Sequence, residues 1–519
     1  MTIMVLSQLL NFIATLASIL FTFPPIVLRK VLIDSKGNHI PPGPNIRYFF
    51  LRKYPERALR SWAAEHGGLF SIWMGTQLVV VISDPKVARD LLVTNGATFS
   101  SRKRYFMKNQ TILRGRAITA SEYGETWRHH RKLAMQLLTP KAIEGYASNL
   151  NYEAHILMRT LMEDGRLGQT ALNPHHYAGR YALKSNPISN MLYISFGIRT
   201  DNTEDPLVAR ALELAMEFMD LTGPWSNAID FFEPLQWIPT NKRNRGRKLH
   251  DNLIEVYGSM IKRVKAKLEA AEFVPDCLVK TLIQNQEKEK LDWEDLCMLS
   301  AVFTLGGVHS TSGIIQWFLA LIPSHPEVVQ CAQQELDRVV GRDRFPTAED
   351  EINLPYIRAV IKEVQRVHAP FWMATPHCAS DDYTYEDYFI PKDTLIVLNC
   401  WTLHHNEARY KEPCAESAKL PDVMDRDHWA FGAGICPGIH VAERELWLAI
   451  SQLLWSFNFH ALPDEPISLE EYEDLSPAMT KYSWPSGKKR KSSIGLSNKL
   501  SFTFLSSAQV YLNTNTPCL

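Results

Sequence analysis

The stretch HWAFGAGICPGIHVAERELWL, residues 428–448, places one cysteine between a glycine-rich approach and a long helical pattern. Cys436 would lie just before the helix, where backbone N–H groups and the positive end of the helix dipole favour thiolate over thiol. Gly432, Gly434 and Gly438 carry no Cβ, so the backbone could lie close to a flat, bulky group. Such a thiolate suits the axial position of a haem iron. A buried structural cysteine is the other interpretation that the loop alone allows.

The sequence on both sides of this loop is predominantly helical in pattern. Apolar residues recur at three- and four-residue spacing, which predicts helices at 86–94, 122–138, 206–220, 247–271, 292–322, 325–339, 356–368 and 440–457. Strand patterns occupy 69–84, with a turn at Gly75, and 383–399. No GxGxxG motif follows a strand and no Walker loop occurs, which argues against a dinucleotide-binding domain. We therefore expect a mainly α fold with a small β-sheet region.

Composition excludes several classes of protein. The 519 residues include 56 basic and 56 acidic side chains, so the net charge is zero and we expect no nucleic-acid partner. The eight cysteines are scattered without a CxxC pair. This argues for a reducing compartment and against a disulfide framework or a structural zinc site.

The N-terminus predicts a membrane anchor. Residues 1–28 contain no charged side chain and are almost continuously apolar, long enough for a hydrocarbon core of about 30 Å. Arg29 and Lys30 follow, which predicts a single-pass segment with the rest of the chain in the cytosol. A cleaved signal peptide is the alternative, and the absence of a basic n-region argues against it. Residues 29–46, with HIPPGPN, form the predicted proline-rich hinge.

Three further features lie far from the cysteine. Glu363 and Arg366 share one face of an otherwise apolar helical pattern, and Trp127 and Arg131 share another. In LGGVHSTSGIIQW, residues 305–317, glycines and hydroxyl groups interrupt a strong helical pattern. An internal glycine costs about 1 kcal/mol relative to alanine, so close packing or function is expected there.

Together these features resemble the cytochrome P450 superfamily of haem-thiolate monooxygenases, over roughly residues 35–475. The segments PPGPN, LPYIRAVIKEVQR and ICPGIHVAE are similar to those of membrane-anchored fungal enzymes of secondary metabolism. The resemblance implies the cytochrome P450 fold, with an N-terminal transmembrane helix, for a domain at 47–475. It also implies heme b between two helices, with its iron ligated by Cys436.

The resemblance assigns roles to further residues. Trp127, Arg131 and His377 would contact the haem propionates, and Gly306, Gly307, Gly432 and Gly438 would give the cofactor room. Glu363 and Arg366 would be a structural pair. His309, Ser310 and Thr311 would lie at the catalytic centre.

The sequence departs from the family pattern at several places. The cysteine loop lacks the arginine that binds a propionate, and the meander motif whose arginine locks Glu363 and Arg366 is missing after Pro413. We expect weaker haem binding and an incomplete charge network. His309 and Ser310 replace an acid and a threonine. A histidine could relay protons near neutral pH, and a merely tolerated substitution explains it equally well. Residues 476–519, with a basic run at 488–491, form an atypical tail that we interpret as disordered or foreign.

The implied function is monooxygenation of a small hydrophobic substrate by O2, with electrons from a separate NADPH–cytochrome P450 reductase at the endoplasmic reticulum membrane. Phe371, Trp372 and Met373 favour an aromatic or polyketide-derived secondary metabolite, and plain core packing explains them equally well. Two alternatives remain. One is a degenerate membrane-tethered haem protein or pseudoenzyme, and the other is a haem-thiolate isomerase or dehydratase that needs no reductase.

Overall fold

The computed structural model describes residues 32–44, 47–48, 55–119, 121–166, 187–198, 206–223, 227–410, 428–432, 436–461 and 500–504. The predicted anchor at 1–28, the loop positions Gly434 and Ile435, and the segment where the meander motif is missing lie outside these residues. The predictions for them therefore stay predictions.

Helices dominate the described residues. They are α1 Pro55–His66, α2 Pro85–Arg89, α3 Gly96–Phe99, α4 Glu125–Met135, α5 Pro140–Glu144, α6 Ala147–Asp164, α7 Pro187–Phe196, α8 Pro206–Thr222, α9 Asn241–Glu269, α10 Leu278–Asn285, α11 Trp293–Leu321, α12 Pro326–Val339, α13 Pro355–Val367, α14 Cys400–His404 and α15 Ile439–Ser456. A π-helical turn at Phe106–Ile112, here called the 106–112 turn, packs on α8 and α9.

Helix α11 runs through the centre of the largest hydrophobic core. Asp292 caps its first turn by accepting from the Asp295 N–H at 2.7 Å, and the Asp295 side chain accepts from the Asp292 N–H in return. The glycines of the 305–317 segment do not break the helix. By length and composition the stretch Trp293–Ser324 could cross a membrane, but most of it is buried inside the protein, as expected of a core helix.

The main sheet has five strands in the order β1-β2-β3-β7-β4, with β1 Arg47–Tyr48, β2 Leu69–Met74, β3 Gln77–Ile82, β4 His377–Cys378 and β7 Leu395–Leu398. Strands β2 and β3 form the predicted hairpin, and Gly75 takes a φ of +57° at its turn. Strand β3 pairs in parallel with β7, Val79 opposite Leu395 and Ile82 opposite Leu398. A separate hairpin joins β5 Tyr383–Tyr385 to β6 Tyr388–Ile390, as the 383–399 pattern predicts.

The C-terminal tail departs from its prediction at one place. Residues Leu500–Phe504 form β9, which pairs antiparallel with β8 Phe457–Ala461 directly after α15. The alternating sequence LSFTF suits a strand, and Phe502 lies opposite Phe459. Part of the segment that we interpreted as disordered or foreign therefore belongs to the fold.

Candidate functional site

Cys436 lies in the turn that leads into α15, as its sequence context predicts. The residue is half-buried, and its carbonyl accepts a 3.3 Å hydrogen bond from the Ile439 N–H. A Cβ placed on Gly438 would lie 3.9 Å from the Cys436 Sγ, which is ordinary contact. Gly432 has a φ of +70°, a conformation that favours glycine, at the point where the loop leaves Phe431.

The surroundings of Cys436 differ from those of the fully buried cysteines. Burial raises the pKa of Cys436, whereas the Gly438 N–H and the positive charge of Arg131 favour its thiolate. Burial raises the pKa of both Cys378 and Cys400 to about 12, although the positive charge of Lys103 favours the Cys378 thiolate. Cys436 is therefore the described cysteine that combines partial exposure with an arginine whose charge favours the thiolate.

Trp127 and Arg131 share one face of α4, as predicted. The Arg131 Cζ lies 5.3 Å from the centroid of the Trp127 ring. The Trp127 indole N–H donates to the Ile118 carbonyl at 2.9 Å. The indole N–H is thus already hydrogen-bonded to the backbone, and Arg131 is the residue of this pair whose charge acts on Cys436.

Sequence reasoning missed Arg102, which joins this group of cations. Its guanidinium donates to the carbonyls of Thr375 and Pro376, the latter at 3.0 Å. Burial lowers the pKa of Arg102 to about 10, the neighbouring Tyr105 raises it, and the like charge of Arg131 lowers it again. The only sequence signal was the basic run 102–104, which by itself is typical of a solvated surface.

His377 lies on β4 beside Arg102. The side chain is buried and its Nδ1 has no hydrogen-bond partner within the described part of the chain. Burial and the charge of Arg102 hold the pKa of His377 well below its usual range, and the ring also contacts the Phe99 carbonyl. The result is a neutral imidazole with one buried nitrogen available to a ligand.

The two glycines of α11 face different surroundings. A Cβ on Gly306 would meet nothing within 4 Å, and Gly306 is exposed on a helix whose other faces are packed. A Cβ on Gly307 would lie 2.1 Å from the Met191 Sδ on α7. Helix packing by itself explains a glycine at position 307, and the cofactor role of both glycines stays a prediction.

His309 and Ser310 also lie on this partly open face. The Ser310 Oγ donates to the Gly306 carbonyl at 3.1 Å. Burial lowers the pKa of His309 to about 4, although a hydrogen bond to the Ala215 carbonyl on α8 favours the charged ring. The ring is therefore neutral at pH 7, and its Nε2 has no partner among the described residues, while the proton relay stays a prediction.

Thr311 points away from the open face. It is buried, and its hydroxyl lies beside the carboxyl group of Glu445 on α15. Burial raises the pKa of Glu445 to about 8, opposed by hydrogen bonds from Asn190 and Thr311 and supported by the charge of Glu153. Among the described residues no well-aligned donor reaches the Glu445 Oε2, so the Thr311 contact is a weak hydrogen bond. The structure thus separates Thr311 from Ser310.

Glu363 and Arg366 form the predicted pair on α13. Arg366 donates to Glu363 at 2.8 Å from Nε and 2.6 Å from Nη2. It also donates to the His404 carbonyl, and its Cζ lies 4.7 Å from the Tyr410 ring centroid. The expectation that Arg366 lacks a third partner is therefore wrong, because a backbone carbonyl and an aromatic ring take that place. His404 in turn accepts from the Trp429 N–H at 2.9 Å, which ties this network to the start of the cysteine loop.

The residues that suggested an aromatic substrate are largely core residues. Trp372 and Met373 are 2% and 3% exposed and pack in a hydrophobic cluster with the main sheet. Phe371 alone is half-buried. The alternative of plain core packing therefore holds for Trp372 and Met373.

The polar groups around Cys436 suit a flat, dianionic haem. Cys436 offers a thiolate ligand that Arg131 favours. Arg102 is held by backbone carbonyls, and the ionisable groups that act on it are Tyr105 and Arg131, neither of which is a carboxylate. Two cations suit two propionates, and so does the His377 Nδ1, which has no partner among the described residues. The residues fit the group.

Comparisons with known proteins agree with this geometry. Residues 41–482 match the family described as Cytochrome P450. Cytochrome P450 monooxygenase patH of Penicillium expansum is 31% identical over 430 residues, which cover 79% of this chain and 80% of that protein. Cytochrome P450 monooxygenase polD of Polytolypa hystricis is 29% identical over 483 residues, with 88% and 90% covered. A zebrafish cytochrome P450 structure with progesterone matches the fold with a TM-score of 0.69 at 21% identity, covering 80% of this chain and 95% of that one.

Proposed function

The chain belongs to the cytochrome P450 family of monooxygenases, which hold haem iron through a cysteine thiolate, and on that premise we propose that Cys436 is the ligand in this protein. One observation carries the proposal. Among the described cysteines, Cys436 alone combines a half-buried position, a turn into a long helix and the favourable charge of Arg131. A thiolate is thus supported at the place where the family places its metal ligand.

The cofactor would be held by residues from three separate segments. Arg102 before the 106–112 turn and Arg131 on α4 would neutralise the propionates, and the His377 Nδ1 would supply a further polar contact. These contacts would offset the missing loop arginine. When bound, haem would supply the O2 chemistry, in which one oxygen atom enters the substrate and the other leaves as water with two electrons and two protons.

The face of α11 that carries Gly306 and Ser310, here called the open face, would contact the substrate and supply one proton donor. Gly306 leaves space there, and Ser310 Oγ carries a proton that it now donates to the Gly306 carbonyl. Rotation about χ1 would turn that donor into the open space. His309 is neutral and bonded to α8, so its role would be to position the helix rather than to supply a proton at pH 7.

The substrate and partners complete the proposal. We infer a small hydrophobic substrate of aromatic or polyketide-derived type, for which the half-buried Phe371 is the remaining support. Electrons would come from NADPH–cytochrome P450 reductase. Residues 1–28 would anchor the protein in the endoplasmic reticulum membrane, with 47–475 as the cytosolic catalytic domain. A chain that begins at Lys36 should then leave the membrane fraction, while the full chain should resist carbonate washing.

A carbon monoxide difference spectrum of the reduced protein tests the ligand. The full chain should give the carbonyl band of a thiolate-ligated haem, and Cys436→Ser should lose it. Cys331→Ser, at an exposed cysteine, is the matched control and should keep the band. A thiolate-type band in Cys436→Ser would overturn the assignment.

Turnover then separates the remaining activities. Oxygen insertion that requires both NADPH and the reductase supports the monooxygenase. Turnover of an oxygenated substrate without reductase would instead indicate an isomerase or dehydratase. Haem-free protein that gives no carbonyl band would indicate a degenerate member of the family.

A further inference from the structure

The short helix α14 binds the main chain at the start of the cysteine loop, residues 428–438. Its last residue, His404, accepts a hydrogen bond from the Trp429 N–H through Nε2 at 2.9 Å. Its first residue, Cys400, donates from Sγ to the Trp429 carbonyl at 3.3 Å. Residues four positions apart share one face of a helix, so one face of α14 binds both backbone groups of Trp429.

The chemistry of both side chains suits these contacts. Cys400 is fully buried, and burial raises the pKa of its thiol to about 12, so the thiol keeps the proton that it donates. A ring nitrogen that accepts a hydrogen bond carries no proton, so His404 is neutral with its proton on Nδ1. Burial and, to a smaller extent, the neighbouring histidines and Arg366 hold the pKa of His404 well below its usual range, in agreement with a neutral ring.

Helix α13 supports the same part of the loop. The Arg366 guanidinium donates to the His404 carbonyl. The Arg366 carbonyl acts in return on the His404 ring, although Nδ1 has no well-aligned acceptor among the described residues. His428, which precedes Trp429, has its Nε2 3.2 Å from the Lys362 carbonyl of α13. Two consecutive residues of the loop are thus bound by α13 and α14.

Helix α14 is itself fixed to the main sheet. Asn399, between β7 and α14, donates its N–H to the Ile82 carbonyl of β3 at 2.9 Å. Its side chain accepts from the Thr402 N–H at 3.2 Å, which caps α14, and donates to the Ser83 Oγ at 3.1 Å. The face that binds Trp429 therefore belongs to a helix whose own position is set by the sheet.

The other end of the loop is fixed by α15. The Cys436 carbonyl accepts from the Ile439 N–H, and α15 buries most of its residues in the core. At the start of the loop the Trp429 carbonyl also accepts from the Gly432 N–H at 2.9 Å. A chain fixed at both ends has fewer conformations than a chain fixed at one end. Support at Trp429 therefore narrows the range of positions open to the Cys436 thiolate.

We propose that Cys400 and His404 are positioning residues for the thiolate ligand, which act on Cys436 through the main chain of Trp429. The inference rests on the proposed function and adds two residues whose effect is transmitted by the backbone of the loop. Loss of either contact should loosen the start of the loop and lower the share of haem that keeps thiolate ligation. A neutral hydrogen bond corresponds to roughly a two- to ten-fold change in such an equilibrium.

Matched substitutions at Cys400 test the proposal. Serine and alanine have nearly the same volume, but only serine keeps a donor for the Trp429 carbonyl. The measurement is the thiolate-type carbonyl band of the reduced protein divided by total haem, so loss of haem alone does not lower it. Cys400→Ser should stay near the parent value, and Cys400→Ala should lower the ratio of thiolate-bound to other haem roughly two- to ten-fold. Cys297→Ala, at an equally buried cysteine of α11, is the control and should leave the ratio unchanged.

Hydrogen exchange of the loop backbone gives a readout that does not require haem. His404→Leu removes the acceptor of the Trp429 N–H, so a peptide covering 428–432 should exchange roughly two- to ten-fold faster. His404→Gln keeps a side-chain oxygen that can accept, and it should restore most of the protection. If His404→Leu does not fold, the same peptide in Cys400→Ala and Cys400→Ser decides.

Two results would overturn the proposal. One is an equal thiolate fraction in Cys400→Ala and Cys400→Ser, or an equal fall in Cys297→Ala. The other is unchanged exchange at 428–432 in Cys400→Ala and His404→Leu. A parent protein that binds haem without any thiolate band would instead contradict the proposed function, and the exchange measurement would still show whether α14 holds Trp429.

Discussion

The side-chain amide of Asn190 on α7 donates a 3.0 Å hydrogen bond to the carboxyl group of Glu445 on α15, across 255 positions of the chain. Asn149 on α6 donates in turn to the Asn190 Oδ1 at 2.7 Å. All three side chains are buried. These hydrogen bonds join helices α6, α7 and α15 and leave an ionisable group, Glu445, in the core. The stability of the fold should therefore depend on pH.

The raised pKa of Glu445 predicts that its contribution to stability is lost as pH rises. Below about 4.5 both folded and unfolded states hold the proton, and between 4.5 and about 8 only the folded state does. The free energy of unfolding should therefore fall over this window, by about 1.4 kcal/mol per pH unit and about 3–5 kcal/mol in all. Glu445→Gln should flatten the decline in denaturant titrations at pH 5 to 8. Glu163→Gln, at an exposed glutamate, should follow the parent curve. Equal slopes in parent and Glu445→Gln would contradict the assignment.

Arg366 should contribute far more to the free energy of unfolding than a surface arginine does. Arg366→Met removes the guanidinium hydrogen bonds to the half-buried Glu363 and to the His404 carbonyl, so we expect a loss of about 3–5 kcal/mol in the free energy of unfolding. Arg60→Met breaks an exposed pair with Glu407 and should cost less than about 1 kcal/mol. Urea denaturation of both variants checks the difference. Similar losses would mean that the backbone and ring contacts of Arg366 do not stabilise the fold.

Alanine substitutions at the two adjacent glycines of α11 should have opposite effects on stability. Gly307→Ala drives a Cβ into Met191, and we expect about 1–3 kcal/mol of destabilisation. Gly306→Ala meets open space and gains helix propensity, so it should stabilise the fold by about 0.5–1 kcal/mol. Thermal unfolding distinguishes the two. Met191→Ala combined with Gly307→Ala should recover part of the loss, and a double variant no better than the single one would contradict the contact.

His309 should not produce a pH inflection in the physiological range. Because burial holds its pKa at about 4, the ring gains no proton between pH 6 and 8. The pH profile of kcat should therefore keep its shape in His309→Gln, even if its height changes. His309→Asp, which introduces a charge at this buried position, serves as the contrasting variant. Disappearance of an inflection near pH 6.5 in His309→Gln would refute the neutral ring.

Local patterns in the sequence predicted the elements that depend on local physics. The apolar spacing at 292–322 predicts a helix, and α11 spans Trp293–Leu321. The hairpin at 69–84 is also confirmed, since a turn glycine and alternation suffice to specify it. Helix α6 was missed because its apolar positions are interleaved with Asn, Glu and His, which weaken the pattern.

The site could be predicted only in part, because several of its interactions join distant segments. Nothing near Arg102 indicates that its guanidinium contacts carbonyls 273 and 274 positions later. The replacement partners of Arg366 are likewise a backbone carbonyl and a ring, neither of which forms a motif. The pKa of His309 depends on burial by surrounding helices, which the sequence does not state.

The parallel pairing of β3 with β7 also constrains when this protein can fold. Val79 cannot pair with Leu395 until Leu395 has been synthesised, 316 residues later. At about 5–20 residues per second this takes roughly 15–60 s, during which the outer edge of the β2–β3 hairpin has no partner strand. An uncovered strand edge can pair with other chains. The nascent chain therefore has a long interval in which its folding depends on protection by chaperones or on the early packing of α1 against β2.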